Sequence, residues 1–160
     1  MAAGRAWRVV SMVAIAWLAA PLWAAPQGTV QGSFVLDGVD AKLTHVRAAR
    51  AALDKGKSGY EVLLSARPAD GDLSSWRTAE PAERGSFIHL LFEPNGAIWV
   101  ADLGHAAAKS GRFGVVTELE TVSFGVHGDR LTGHVRTRGE QSFGDDRYSV
   151  DLTFDAPLEK

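Results

Sequence analysis

From Thr29 onward, apolar residues recur mainly at every second position, the period of a half-buried strand. Gly28 to Leu36 places Val30, Phe34 and Leu36 on one side. The Asp37-Gly38 pair that follows is a hairpin signal, because glycine accepts the positive φ of the tight hairpin turns. It predicts a returning strand from Ala41 to about Arg47, with Ala41, Leu43 and His45 on one face and Lys42, Thr44 and Val46 on the other. The Ala-rich stretch over 46–55 fits either a strand or a short helix closed by Gly56. The reading taken is a strand ending near Ala49, then a helical turn or loop.

Tyr60 to Ala66 is the next strand. Arg67 to Gly85 is a long polar connection holding Pro68, Gly71 and Pro81, with Asp72 placed to cap a short helix that includes Trp76. Ser86–Phe92 and Ala97–Leu103 form the clearest hairpin, joined by Glu93-Pro94-Asn95-Gly96. Pro94 suits the first corner of a type I turn, and Gly96 the left-handed residue that completes it. Both strands are apolar on both faces, so they are expected to be central, with Trp99 in the core. Ala106 to Gly111 reads as a helical turn, and Phe113 to Val126 holds one or two strands. Leu131–Arg138 and Tyr148–Phe154 alternate strictly, giving one dry and one wet face each.

No helix is long enough to cross between parallel strands. The expected fold is mainly β: an antiparallel β-sandwich or small, partly closed β-barrel of about seven or eight strands, with one or two short helical turns.

Residues 1–24 change the picture of where the chain goes. Arg5 and Arg8 precede an apolar run from Val9 to Ala20, Pro21 ends it, and Ala24 offers a cleavage point. This is the layout of a secretory signal peptide. An uncleaved anchor is the alternative, but the run is short of the roughly 20 residues that span a bilayer. Residues 25–160 are then a single exported domain, periplasmic or extracellular, with no membrane span after cleavage. Losing Arg5 and Arg8 leaves 15 basic residues against 19 acidic ones, a formal net charge of −4. Scattered charge of that sign gives no strong electrostatic attraction to nucleic acid or anionic membranes.

The chain has no cysteine, which removes disulfides, thiolate nucleophiles and Cys-bound metals. His45, His89, His105, His127 and His134 show no metal-ligand spacing. His89 sits in the most apolar strand, where a hydrogen-bonded core residue is the commoner outcome. Convergence of His45 and His89 with Asp102 would make an acid–base or metal site. Glu118 and Glu120 share a strand face, and Asp145-Asp146 lie in a loop; surface decoration and a plain turn explain them. No nucleophile elbow and no phosphate-binding glycine pattern is present. Trp76, in the long loop, either staples that loop to the sheet or lines a binding surface.

The segment G-S-F-V-L-D-G-V-D-A-K-L-T-H-V (Gly32 to Val46), with V-L-L-S-A-R-P at Val62 to Pro68 and D-L-T-F-D-A-P-L at Asp151 to Leu158, resembles small exported bacterial β-domain proteins of unassigned activity. The resemblance covers about half of the chain beyond the signal segment. It implies an exported β-domain and no particular reaction.

The expected function is therefore non-enzymatic binding of an envelope component, a partner protein or a small ligand, through Trp76, His45 and His89. No cofactor or metal is expected. A hydrolase with a His/carboxylate site, or a purely structural envelope protein, are the alternatives.

Overall fold

The computed structural model describes residues 27–109, 111–115 and 117–160. The expected signal segment lies outside the described residues. The described residues form eleven strands: β1 (Thr29–Leu36), β2 (Val39–Asp40), β3 (His45–Ala52), β4 (Ser58–Ser65), β5 (Phe87–Phe92), β6 (Ile98–Gly104), β7 (Arg112–Gly114), β8 (Leu119–His127), β9 (Arg130–Thr137), β10 (Gln141–Phe143) and β11 (Asp146–Glu159). Among the described residues, helix is confined to short 3-10 segments at Asp54–Gly56 and Leu73–Thr78 and to α1 (Pro81–Arg84). None of the described helices is long and apolar enough to cross a membrane.

All strands join one sheet that curls into a half-barrel. Its main path runs β2-β1-β11-β3-β4-β5-β6-β7, and β9, β8 and β10 branch from β11. The fourteen-residue β11 is the hub. It pairs antiparallel with β1 on one side and β9 on the other, and its end reaches β3 in the one parallel pairing among the described strands. Strict alternation in β9 and β11 puts Leu131, Val135, Val150, Leu152 and Phe154 in the concave core.

The Asp37-Gly38 turn forms as expected, with φ of 49° and 81° and Leu36 paired to Val39. The returning strand does not. It stops at Asp40, and Lys42 takes a positive φ of 52°. That break shifts the alternation by one residue. Leu43 and Val46 are both buried, and His45 turns to the outer face, opposite to the expected parity. The Ala-rich stretch is strand through Ala52, beyond the expected end near Ala49, because β4 pairs with it along its whole length. Tertiary pairing overrides the helical propensity of alanine there.

The β5–β6 hairpin closes through the expected turn, with Gly96 at φ 84°. All six residues of β5 are buried. Trp99 is not: it is 42% exposed, against the expectation of a core tryptophan. Phe92 pairs with Ile98 and Leu91 with Val100, so Trp99 is an extra residue bulged out of the ladder.

The outer face of β4–β6 carries a second, smaller apolar cluster. Leu73, Trp76 and Ala79, from the long loop, pack on Leu63 and Phe87. The Trp76 and Phe87 rings meet edge-to-face at 5.3 Å, and the Arg84 guanidinium lies over the indole. Trp76 is 3% exposed and staples the long loop to the sheet.

Candidate functional site

The same outer face brings three ionisable side chains together. Residues 87, 89 and 91 of β5 turn away from the concave core, in which Ile88, Leu90 and Phe92 sit. His89 is paired across the sheet with Leu63 of β4 and Asp102 of β6, and Glu61 lies one step along β4. Its Nε2 donates to Glu61 Oε1 at 2.6 Å, and its Nδ1 faces Asp102 Oδ2 at 3.7 Å. Arg112 of β7 continues the row, with a guanidinium nitrogen 3.6 Å from Asp102 Oδ1.

His89 is fully buried. Burial alone favours the neutral ring, but the carboxylates of Asp102 and Glu61 outweigh it and hold the His89 pKa above the ordinary imidazole value. Nε2 is hydrogen-bonded to Glu61, while Nδ1 has no hydrogen bond and faces the Asp102 carboxylate only at ion-pair distance, an arrangement that suits a positively charged ring.

This geometry limits the chemistry. Both ring nitrogens point at protein carboxylates and no face of the ring reaches solvent, so His89 has no site from which to exchange a proton with a substrate. Glu61 and Asp102 flank the ring from strands on either side of β5, roughly 10 Å apart in backbone. They do not converge on one ion, and no metal-holding group of His, Asp or Glu occurs among the described residues.

Asp102 is the member that reaches the surface, with its side chain 16% exposed. It forms part of an open cleft of about 450 Å³ between the 3-10 helix and the β6–β7 edge, lined by Ser74, Arg77, Thr78, Val100, Asp102 and Arg112. The helix is placed by Asp72, whose carboxylate accepts from the Ser74 N–H at 3.1 Å and the Ser74 hydroxyl at 2.6 Å. Trp76, one residue before Arg77, pins it to the sheet. Arg77 has no ion-pair or hydrogen-bond partner among the described residues. The cleft therefore presents one free guanidinium, one shared with Asp102, the Thr78 hydroxyl, and the Ser74 hydroxyl, which already donates to Asp72.

The sequence-expected residues divide. His89 and Asp102 meet, with Glu61 as an unforeseen third partner. His45 stays apart: it pairs with Ser65, two strands from β5, and its Nδ1 lies 3.0 Å from the Thr44 hydroxyl. Trp76 supports the cleft from beneath. Arg77 and Arg112 were not anticipated, since scattered arginines carry no pattern. The signal for Glu61 was present: a carboxylate inside the apolar run Y-E-V-L-L needs a buried partner.

Other candidates resolve to structural roles. Glu120 is bound by Arg136 and Arg138, which hold its pKa low. His134 pairs with Asp151 at 2.7 Å on the exposed face of β9. Asp146 is buried and accepts from the Lys109 N–H. His105 donates from Nε2 to the Val39 carbonyl and accepts at Nδ1 from the Ala107 N–H, which fixes the neutral ring.

Family models, curated proteins and solved structures were compared with this chain, and none matches.

Proposed function

We propose that the chain is an exported, non-enzymatic binding domain, and that its ligand is a small molecule whose anionic group seats in the Ser74–Arg77–Arg112 cleft. The observation that carries the reading is the unpartnered Arg77 guanidinium in a cleft that also holds Arg112, Ser74 and Thr78. Two guanidinium groups beside the Thr78 hydroxyl suit a carboxylate, sulfate or phosphate group. A cleft of about 450 Å³ is of small-ligand size. The enclosed His89 supports binding over catalysis, because this histidine, held above its ordinary pKa by the flanking carboxylates, is shut away from any substrate. The N-terminal apolar run supports export and a periplasmic or extracellular setting.

Isothermal titration of the purified protein with sulfate, phosphate and small dicarboxylates tests this. At least one class binds, and Arg77→Ala weakens it by about tenfold, the ordinary worth of one charged hydrogen bond. Equal affinity in wild type and Arg77→Ala rules the cleft out.

A further inference from the structure

We infer that the charge on the buried His89 controls this cleft: an oxyanion binds when the imidazole is protonated and leaves when it is neutral. The inference rests on the reading of the cleft as an anion site and adds its regulation.

The argument starts from how Asp102 divides its charge. One carboxylate oxygen faces His89 Nδ1 at 3.7 Å and the other faces Arg112 at 3.6 Å. With His89 protonated, Asp102 is balanced from inside the sheet and Arg112 is available to the cleft. With His89 neutral, Arg112 is the remaining cation on Asp102 and is drawn to it. Glu61, His89, Asp102, Arg112 and Arg77 together carry one net positive charge in the first state and none in the second.

The surrounding elements leave His89 as the variable group. On β3, Arg47 lies in the same cross-strand row, but its guanidinium is taken by Glu159 and by the Ala69 and Gly71 carbonyls. On β4 the facing charge is Glu61, and on β6 and β7 the charges are Asp102 and Arg112. The 3-10 helix contributes Arg77. On β5 itself, its neighbours Ile88 and Leu90 are apolar and point into the core. Guanidinium groups keep their charge at any working pH. The Asp102 and Glu61 carboxylates hold the His89 titration above the ordinary imidazole value.

Sulfate is the probe, because its charge is constant across this range. Its affinity for the full-length protein is followed from about pH 5.5 upward, above the ordinary carboxyl range, while NMR follows the His89 ring. Affinity falls about five- to tenfold through the His89 titration, at the low end of ordinary coupling between sites. By reciprocity, saturating sulfate raises the His89 pKa by the matching factor. His89→Gln binds sulfate with a flat pH profile; should that variant not fold, the reciprocal shift in the wild-type protein decides alone.

Sulfate binding that depends on Arg77 but ignores the His89 titration overturns the inference and leaves the anion site standing. Absence of sulfate, phosphate and carboxylate binding at every pH overturns the anion site itself, and the inference with it.

Discussion

His89 and Asp102 stand opposite each other across the β5–β6 hairpin because Trp99 is extruded from the ladder between them and the turn. Without that bulge, counting outward from the Phe92–Ile98 pair would set His89 against Ala101, and Asp102 would point into the core. One extra residue therefore does two things: it exposes a tryptophan and delivers a carboxylate to a buried histidine. Bulges re-aim side chains in this way. The expected alternation through Trp99 failed at this point, and with it the expectation of a core tryptophan.

Trp76 and Trp99, the two tryptophans among the described residues, are predicted to behave oppositely on truncation. Trp76→Ala removes the staple between the long loop and Phe87 and costs about 3–5 kcal/mol. Trp99→Ala changes stability by about 0.5 kcal/mol or less, since the side chain is a surface group at a bulge. Denaturant unfolding of both variants, compared with wild type, reads the difference.

The Glu61–His89 bond is predicted to be the most costly polar contact to break on the outer face. His89→Ala strands a buried carboxylate and lowers stability by about 3 kcal/mol. Glu61→Gln keeps a hydrogen-bonding partner for the ring and costs about 1 kcal/mol. Equal losses in chemical denaturation would mean that charge at Glu61 carries the interaction.

Stability is predicted to fall on both sides of the unfolded imidazole pKa of about 6.5. His89 has a raised folded pKa, so its contribution is complete below that value and is lost as pH rises through the folded pKa. His105 is the reverse: burial holds its pKa down, its contribution is complete above the unfolded value, and it is lost as pH falls through the folded one. Thermal melts across this range give a maximum in wild type. His89→Gln removes the alkaline loss and leaves the acid side unchanged.

Arg47 and Glu159 lie 112 residues apart in sequence and meet through two bonds of 2.6 and 2.7 Å, while the same guanidinium holds the Ala69 and Gly71 carbonyls. Arg47→Lys is predicted to lose about 1–2 kcal/mol, because an ammonium cannot make this fork. Hydrogen exchange in residues 69–75 rises with it, since this anchor positions the loop that leads to the cleft.

The close approach of Phe87 to Gly104 gives one further prediction. A Cβ at 104 would lie 2.3 Å from the Phe87 ring, so Gly104→Ala displaces Phe87 from Trp76 and costs about 1–3 kcal/mol in denaturant unfolding.

Much of the fold is legible in local chemistry. The Asp37-Gly38 and Pro94-Asn95-Gly96 turns, the alternation of β9 and β11 and the apolar run of β5 each state their role within a few residues. What escapes is register. The positive φ at Lys42 reversed the faces of His45 and Val46, and the bulge at Trp99 turned that tryptophan out of the core and set Asp102 against His89; neither leaves a periodic mark. The site depends on the second of these, and on Glu61 lying 28 residues before the histidine that it binds. Arg77 and Arg112 acquire meaning only when a short helix and an edge strand are seen to flank one cleft.

The account turns on where an anion goes. The direct measurement is amide chemical-shift mapping of the full-length protein during a sulfate titration at a pH where His89 is protonated. Shifts centred on Ser74, Thr78, Val100 and Arg112, absent in Arg77→Ala, are the predicted result. Shifts centred elsewhere, or none at saturating sulfate, would contradict it.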